Sequence, residues 1–139
     1  DGETLRITSL LNGFNDKKVQ MASLMRDFKD KNELNDSNNV KVIVDKDNYS
    51  INFSRVPMDS YSDNYKHIGV YAFRKETLIE FSKMEKTMME KMEKIECLRY
   101  IENGKKIKMF KTDFSTISID TPEDLIRAEE YLRRQWKSL

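Results

Sequence analysis

With 139 residues the chain has room for one modest domain. Its 25 Lys and Arg offset 24 Asp and Glu to a formal charge of +1, so no bulk field directs it to nucleic acid or to an anionic membrane surface. A lone cysteine excludes an internal disulfide, and with a lone histidine it argues against a structural zinc site.

The lone cysteine leans toward a cytoplasmic location; no apolar run reaches bilayer length and no basic-then-apolar leader opens the chain. The first residue is Asp1 although eight methionines occur elsewhere, so the chain reads as trimmed upstream or as a piece of something longer.

Ile7 to Phe14 sets Ile7, Leu10, Leu11 and Phe14 at helical spacing. Val19 to Met25 alternates like a strand, and Lys29 to Asn39, rich in Asn and Asp, reads as a loop. Val40 to Val44 is a β-branched strand. Asp45-Lys46-Asp47-Asn48 turns it, and Tyr49 to Phe53 returns as its hairpin partner. Pro57 to Asn64 is a second loop. His67 to Phe73 reads as a strand, with Gly69 marking a bulge or a close backbone approach.

Two helices follow, Lys75 to about Lys86 and Met88 to Ile101. The second carries Met89, Met92, Ile95 and Leu98 on one face and is stopped by Asn103-Gly104. Ile107 to Phe110 and Thr116 to Ile119 are strands, and Pro122 to Trp136 is a terminal amphipathic helix. The mixture makes the class α/β or α+β. The first strand has no preceding partner, so a sheet of these strands alone is expected to lack a central member.

Several residues could carry chemistry. Arg55 at a strand end can fork onto a phosphate or carboxylate, or lie on the surface as arginines usually do. His67, Gly69 and Tyr71 share a strand face, where two polar groups flanking a gap could bond a polyhydroxylated ligand or simply pack. Glu90, Glu93 and Glu96 recur every three residues, as a solvated stripe or with one acid turned to a substrate. Cys97 reads as a small core residue, since no histidine base stands near it in sequence. Asp120 ends a strand where sheets deliver acids to ligands, while Thr121, Pro122, Glu123 and Asp124 make a good helix start. Glu3, near the chain start, could be a second metal ligand or a terminal residue without a role.

The order of these pieces is more specific than any one of them. Val40-Lys41-Val42-Ile43-Val44-Asp45, Phe53-Ser54-Arg55-Val56-Pro57, His67-Ile68-Gly69-Val70-Tyr71, the helix with Glu90, Glu93, Glu96, Cys97, Leu98 and Arg99, and Asp120-Thr121-Pro122-Glu123-Asp124-Leu125 follow one another. In that order the chain resembles the C-terminal portion of 3-deoxy-manno-octulosonate (Kdo) cytidylyltransferases, also called CMP-Kdo synthetases.

The resemblance implies a single partial domain over 1–139 with a Rossmann-like nucleotidyltransferase fold. The N-terminal CTP-binding segment would be missing, and a β-hairpin sub-sheet at about 40–73 would serve dimerisation. It implies transfer of CMP from CTP to Kdo with release of pyrophosphate, in the making of a lipopolysaccharide precursor. It implies Mg²⁺ held by Asp120 and Glu3, the latter where the family carries an aspartate. It also implies a sugar-acid pocket of Arg55, His67, Tyr71, Glu96 and Cys97, the last where the family carries a glutamine. Without the CTP loop, the isolated chain is expected to be inactive. Two other roles fit the same residues: a non-catalytic remnant serving as a dimerisation module, and a relative acting on another acid sugar.

Overall fold

A computed structural model describes residues 15–58 and 63–112, together with positions 122, 123, 126 and 130. Along the described chain run β1 (Met21–Arg26), α1 (Lys31–Asn35), β2 (Lys41–Val44), β3 (Ser50–Ser54), β4 (Tyr65–Phe73), α2 (Lys75–Lys83), α3 (Met88–Glu93), α4 (Cys97–Glu102) and β5 (Lys108–Lys111). The five strands form one mixed sheet in the order β3-β2-β4-β1-β5.

The first strand, with no strand before it in sequence to pair with, finds two partners among the later ones. β1 pairs antiparallel with β4 and parallel with β5, and all six of its residues are buried. A strand covered on both faces reads as a nearly continuous apolar run, which MASLM supplies. Its alternation divides the core. Met21 and Met25 join Val42, Phe53, Leu98, Tyr100, Ile107 and Met109 on one side, while Ala22 and Leu24 join Val19 and Ile68 on the other.

The β2–β3 hairpin is held at its turn by the Asp45 carboxylate, which accepts from the Asp47 and Tyr49 N–H groups at 2.9 and 3.0 Å. Asn48 takes the left-handed backbone there, φ 62°, which asparagine tolerates better than most residues. The hairpin leans over the sheet until its turn meets β5. The Ser50 N–H donates to the Ile107 carbonyl at 2.8 Å, and the Met109 N–H donates to the Asn48 carbonyl at 2.8 Å.

Three elements depart from the sequence reading. The polar stretch after β1 contains α1, because Asp30 caps it by accepting from the Glu33 N–H at 2.8 Å, and Glu33 is fastened to Arg26 and Lys66. α2 ends at Lys83 rather than near Lys86. The helix expected over Met88 to Ile101 is two helices, broken at Lys94 with φ 55°. The break separates the three acids. Glu90 is buried and grips Arg99 of α4 through both carboxylate oxygens, Glu93 accepts from the Arg55 backbone, and Glu96 opens α4. They are not one solvated stripe.

The stop at Asn103-Gly104 is as expected. Gly104 has φ 76°, its N–H donates to the Ile101 carbonyl, and the Lys105 N–H reaches back to Tyr100. Of the predicted terminal helix, Pro122, Glu123, Ile126 and Glu130 have helical backbone. The predicted helix at Ile7 to Phe14 and strand at Thr116 to Ile119 lie outside the described residues.

Candidate functional site

The site grows from an irregularity in β4. Ser23 of β1 pairs with Tyr71 and the next residue, Leu24, pairs with Ile68, so Gly69 and Val70 are extra. Two extra residues preserve the alternation of faces, whereas one would reverse it. His67 and Tyr71 therefore stay on the same side, with ring centroids 5.6 Å apart. A Cβ built on Gly69 would meet nothing within 4 Å, so this glycine marks the bulge and leaves open space, not a close backbone approach.

That space is a cavity of about 330 Å³. Asn38 and Asn39 line it from the loop before β2, Lys66, His67, Gly69 and Tyr71 from β4, and Lys94 and Glu96 from the break between α3 and α4. Two cations behind it fasten these loops. The Lys41 ammonium, fully buried, donates to the carbonyls of Asp36, Asn39 and Arg55 at 2.7–2.8 Å. Burial holds its pKa below the usual lysine value, and the negative charge of Asp36 works against that shift. The Arg55 guanidinium donates to the carbonyls of Glu93 and Lys94 on one side, at 2.6 and 3.1 Å, and to that of Ser37 on the other, at 3.2 Å. Arg55 thus ties two loops to each other through main-chain oxygens.

The ring of His67 stands edge-on to Phe53 at 5.0 Å, and Nε2 lies 2.9 Å from Ser23 Oγ. Burial lowers its pKa to about 4, so the imidazole is neutral near pH 7 and brings no positive charge to the cavity. Tyr71 keeps 38% of its surface exposed while its hydroxyl sits 3.1 Å from Cys97 Sγ. Burial, with Cys97 beside it, raises the phenol's pKa. Cys97 is buried behind Tyr71, off the cavity lining, and burial pushes its thiol up to about 12. At that value it is a thiol and not a nucleophile.

Positive charge comes from Lys66 and Lys94. Lys66 Nζ is 3.1 Å from Glu33, and Lys94 has no ion-pair partner among the described residues. Burial alone would raise the Glu33 pKa, but Arg26, the Lys29 N–H and Lys66 outweigh it and hold the carboxyl at about 2.

The fold therefore gathers His67, Tyr71 and Glu96 at one cavity, with Cys97 supporting Tyr71 and Arg55 bracing the walls. Asp120 and Glu3 lie outside the described residues. Among the described residues, no three His, Cys, Asp or Glu side chains gather as a metal site. Reading the sequence missed Lys66, Lys94, Asn38, Asn39 and Ser23. Only Lys66, adjoining His67, carried a local signal. Chemically, the lining combines ammonium donors, a carboxylate, a neutral imidazole and side-chain amides, a set suited to an anionic, hydroxyl-rich ligand.

Comparison with known proteins agrees with the resemblance read from the ordered motifs. A family model described as cytidylyltransferase matches residues 5–107. A 3-deoxy-manno-octulosonate cytidylyltransferase of Christiangramia forsetii is 44% identical over 84% of this chain and 49% of its own length. Those of Flavobacterium johnsoniae and Fusobacterium nucleatum are 43% and 41% identical, over 95% and 91% of this chain and 57% and 54% of their own. The chain thus spans about half the length of the curated relatives it matches.

Among solved structures, a CMP:2-keto-3-deoxy-manno-octonic acid synthetase complexed with CTP superposes with a TM-score of 0.84 at 27% identity, over 93% of this chain and 56% of that one. The mixed sheet with its helices is therefore part of that α/β fold. By the family model over residues 5–107 and by these relatives, this chain belongs to the cytidylyltransferase family.

Proposed function

We propose that the chain is the sugar-acid-binding portion of an enzyme that transfers CMP from CTP to Kdo and releases pyrophosphate, in the service of lipopolysaccharide precursor synthesis. The observation that carries this reading is the cavity itself. It lies on a sheet that matches a CTP-complexed synthetase, and its lining supplies donors for a carboxylate and acceptors for hydroxyls. Lys94 and Lys66 face the acid group, Glu96 and His67 accept hydrogen bonds from hydroxyls, and the Tyr71 ring gives the sugar an apolar wall. Arg55 and Cys97 act one layer back, through the loops and through Tyr71.

Transfer to phosphorus rests on placement and charge neutralisation. Mg²⁺ would gather phosphate oxygens, held by Asp120 and Glu3. A cytoplasmic enzyme fits the substrates, and no described helix is long and apolar enough to cross a membrane.

The test is calorimetric titration of the chain with Kdo. Binding that weakens at least tenfold in Lys94→Met and in Glu96→Gln is expected; no heat with Kdo overturns the assignment. The isolated 139 residues are expected to release no pyrophosphate from CTP and Kdo, and release by the purified chain would refute that expectation.

A homodimer through the hairpin region, residues 40–73, is the second element of this proposal. It is favoured by Ile51 and Val56, apolar yet 45% and 61% exposed. Sedimentation showing a dimer in the parent chain and a monomer in Ile51→Lys/Val56→Lys would support it, and a wild-type monomer would refute it.

A further inference from the structure

Ser23 lies fully buried in β1, at the step where the β4 bulge begins. Its Oγ is 2.9 Å from His67 Nε2, 3.1 Å from the Ile68 carbonyl oxygen and 2.9 Å from the Val70 carbonyl oxygen. A hydroxyl has one proton to give and lone pairs with which to accept, whereas a carbonyl oxygen can only accept. If the proton went to His67, both carbonyl oxygens would face the hydroxyl's lone pairs at contact distance, inside a buried sheet. Lone pair against lone pair at that distance is repulsive, and more so where water cannot screen it. If the proton goes to a carbonyl, Oγ becomes an acceptor and Nε2 becomes its donor. This second arrangement satisfies the ring and the hydroxyl together.

The neutral imidazole has one N–H. With that proton on Nε2, Nδ1 is a bare acceptor. Ser23 is the hydrogen-bond partner of the ring among the described residues, and it takes Nε2. Nδ1 is not sealed away either: the side-chain polar atom buried without a partner among those residues is Arg26 Nε. The ring lines the cavity, where Lys66 and Lys94 offer only donors.

We infer that Ser23 is a positioning residue that holds His67 as the Nε2–H tautomer and so makes the cavity's imidazole an acceptor for a ligand hydroxyl. The burial that keeps the ring neutral near pH 7 is consistent with this role. The identity of the ligand rests on the function proposed above; the tautomer does not.

Because His67 is the one histidine of the chain, its ring nitrogens can be observed without assignment ambiguity in the ¹⁵N-labelled protein. At pH 7 the expected spectrum shows a protonated Nε2 and a bare Nδ1. A protonated Nδ1 in the wild type overturns the inference outright, whatever the variants do. In Ser23→Ala the two tautomers should mix and the two nitrogen signals converge, while Ser23→Thr, which keeps the hydroxyl, should retain the wild-type pattern. A folded Ser23→Ala with an unchanged ring spectrum also overturns it.

With saturating Kdo as probe, the Nδ1 signal should shift. Binding that leaves it unmoved refutes the acceptor role, and failure of Kdo to bind counts against the proposed function while the tautomer result stands.

Discussion

A single buried imidazole makes the protein sensitive to mild acid. His67 has a folded pKa of about 4, against about 6.5 for a histidine in an unfolded chain. Between those values the unfolded chain binds the proton and the folded one does not. The contribution of this residue is therefore complete above about pH 6.5 and declines as pH falls toward 4, by roughly 3 kcal/mol in all. Glu33, held at about 2, loses its contribution only below about pH 4.5, so the two windows are separable. Urea unfolding from pH 7 to pH 4.5 should show this slope, and His67→Gln should flatten it; a wild-type stability independent of pH over that range would refute the account. At Gly69, φ is not positive and a methyl group finds open space. Gly69→Ala should therefore change stability by no more than about 0.5 kcal/mol. Because Gly69 lines the cavity, the same methyl should weaken Kdo binding several-fold in calorimetry.

At the level of elements, the break between α3 and α4 is where stability has been yielded to shape. Lys94 occupies left-handed backbone that glycine adopts freely and other residues adopt at a cost of about 1 kcal/mol. Lys94→Gly should raise the unfolding free energy by up to about 1 kcal/mol, read from denaturant midpoints, while loosening the hold on an acidic ligand. Across the break, the buried Glu90–Arg99 pair behaves oppositely. The hydrogen bonds from Arg99 lower the Glu90 pKa against the opposing effect of burial, so the carboxylate stays charged. Arg99 also lies over the Phe81 ring at 5.0 Å. Glu90→Gln should cost about 3 kcal/mol by leaving a buried guanidinium without its counter-charge.

The two helices could not be told from one in the sequence. Lysine is a good helix former, and nothing in Met92-Glu93-Lys94-Ile95 signals a stop. The turn is imposed by Arg55, nearly forty positions earlier, holding the Glu93 and Lys94 carbonyls. The hairpin, by contrast, was legible because a β-branched run and an Asp/Asn turn are local signals, and the bulge because Gly69 interrupts an otherwise regular strand. Of the site, His67, Tyr71 and Glu96 could be read as polar groups in a pattern. Ser23 could not: a serine within a strand is unremarkable until the two carbonyls and the imidazole around it are known.

For the whole molecule, the sheet is assembled from distant pieces. β5 pairs with β1, the hairpin turn closes on β5, and the loop before β2 is fixed to β2 and the end of β3 by Lys41. Replacing Lys41 by methionine keeps the length of the side chain but strands three carbonyls. A loss of about 3 kcal/mol is expected in thermal or urea unfolding, with faster amide exchange at residues 36–39 as the local signature. A variant as stable as the parent would show that water replaces the ammonium there.

Lys41 and Arg55 have a consequence for how such a protein can change over time. Both grip main-chain oxygens, which every amino acid possesses, and neither depends on the side chains of the loops it holds. Asn38, whose side chain takes no part in that grip, can therefore be exchanged while the walls keep their course. A binding site built this way is free to drift in what it recognises without first losing its form.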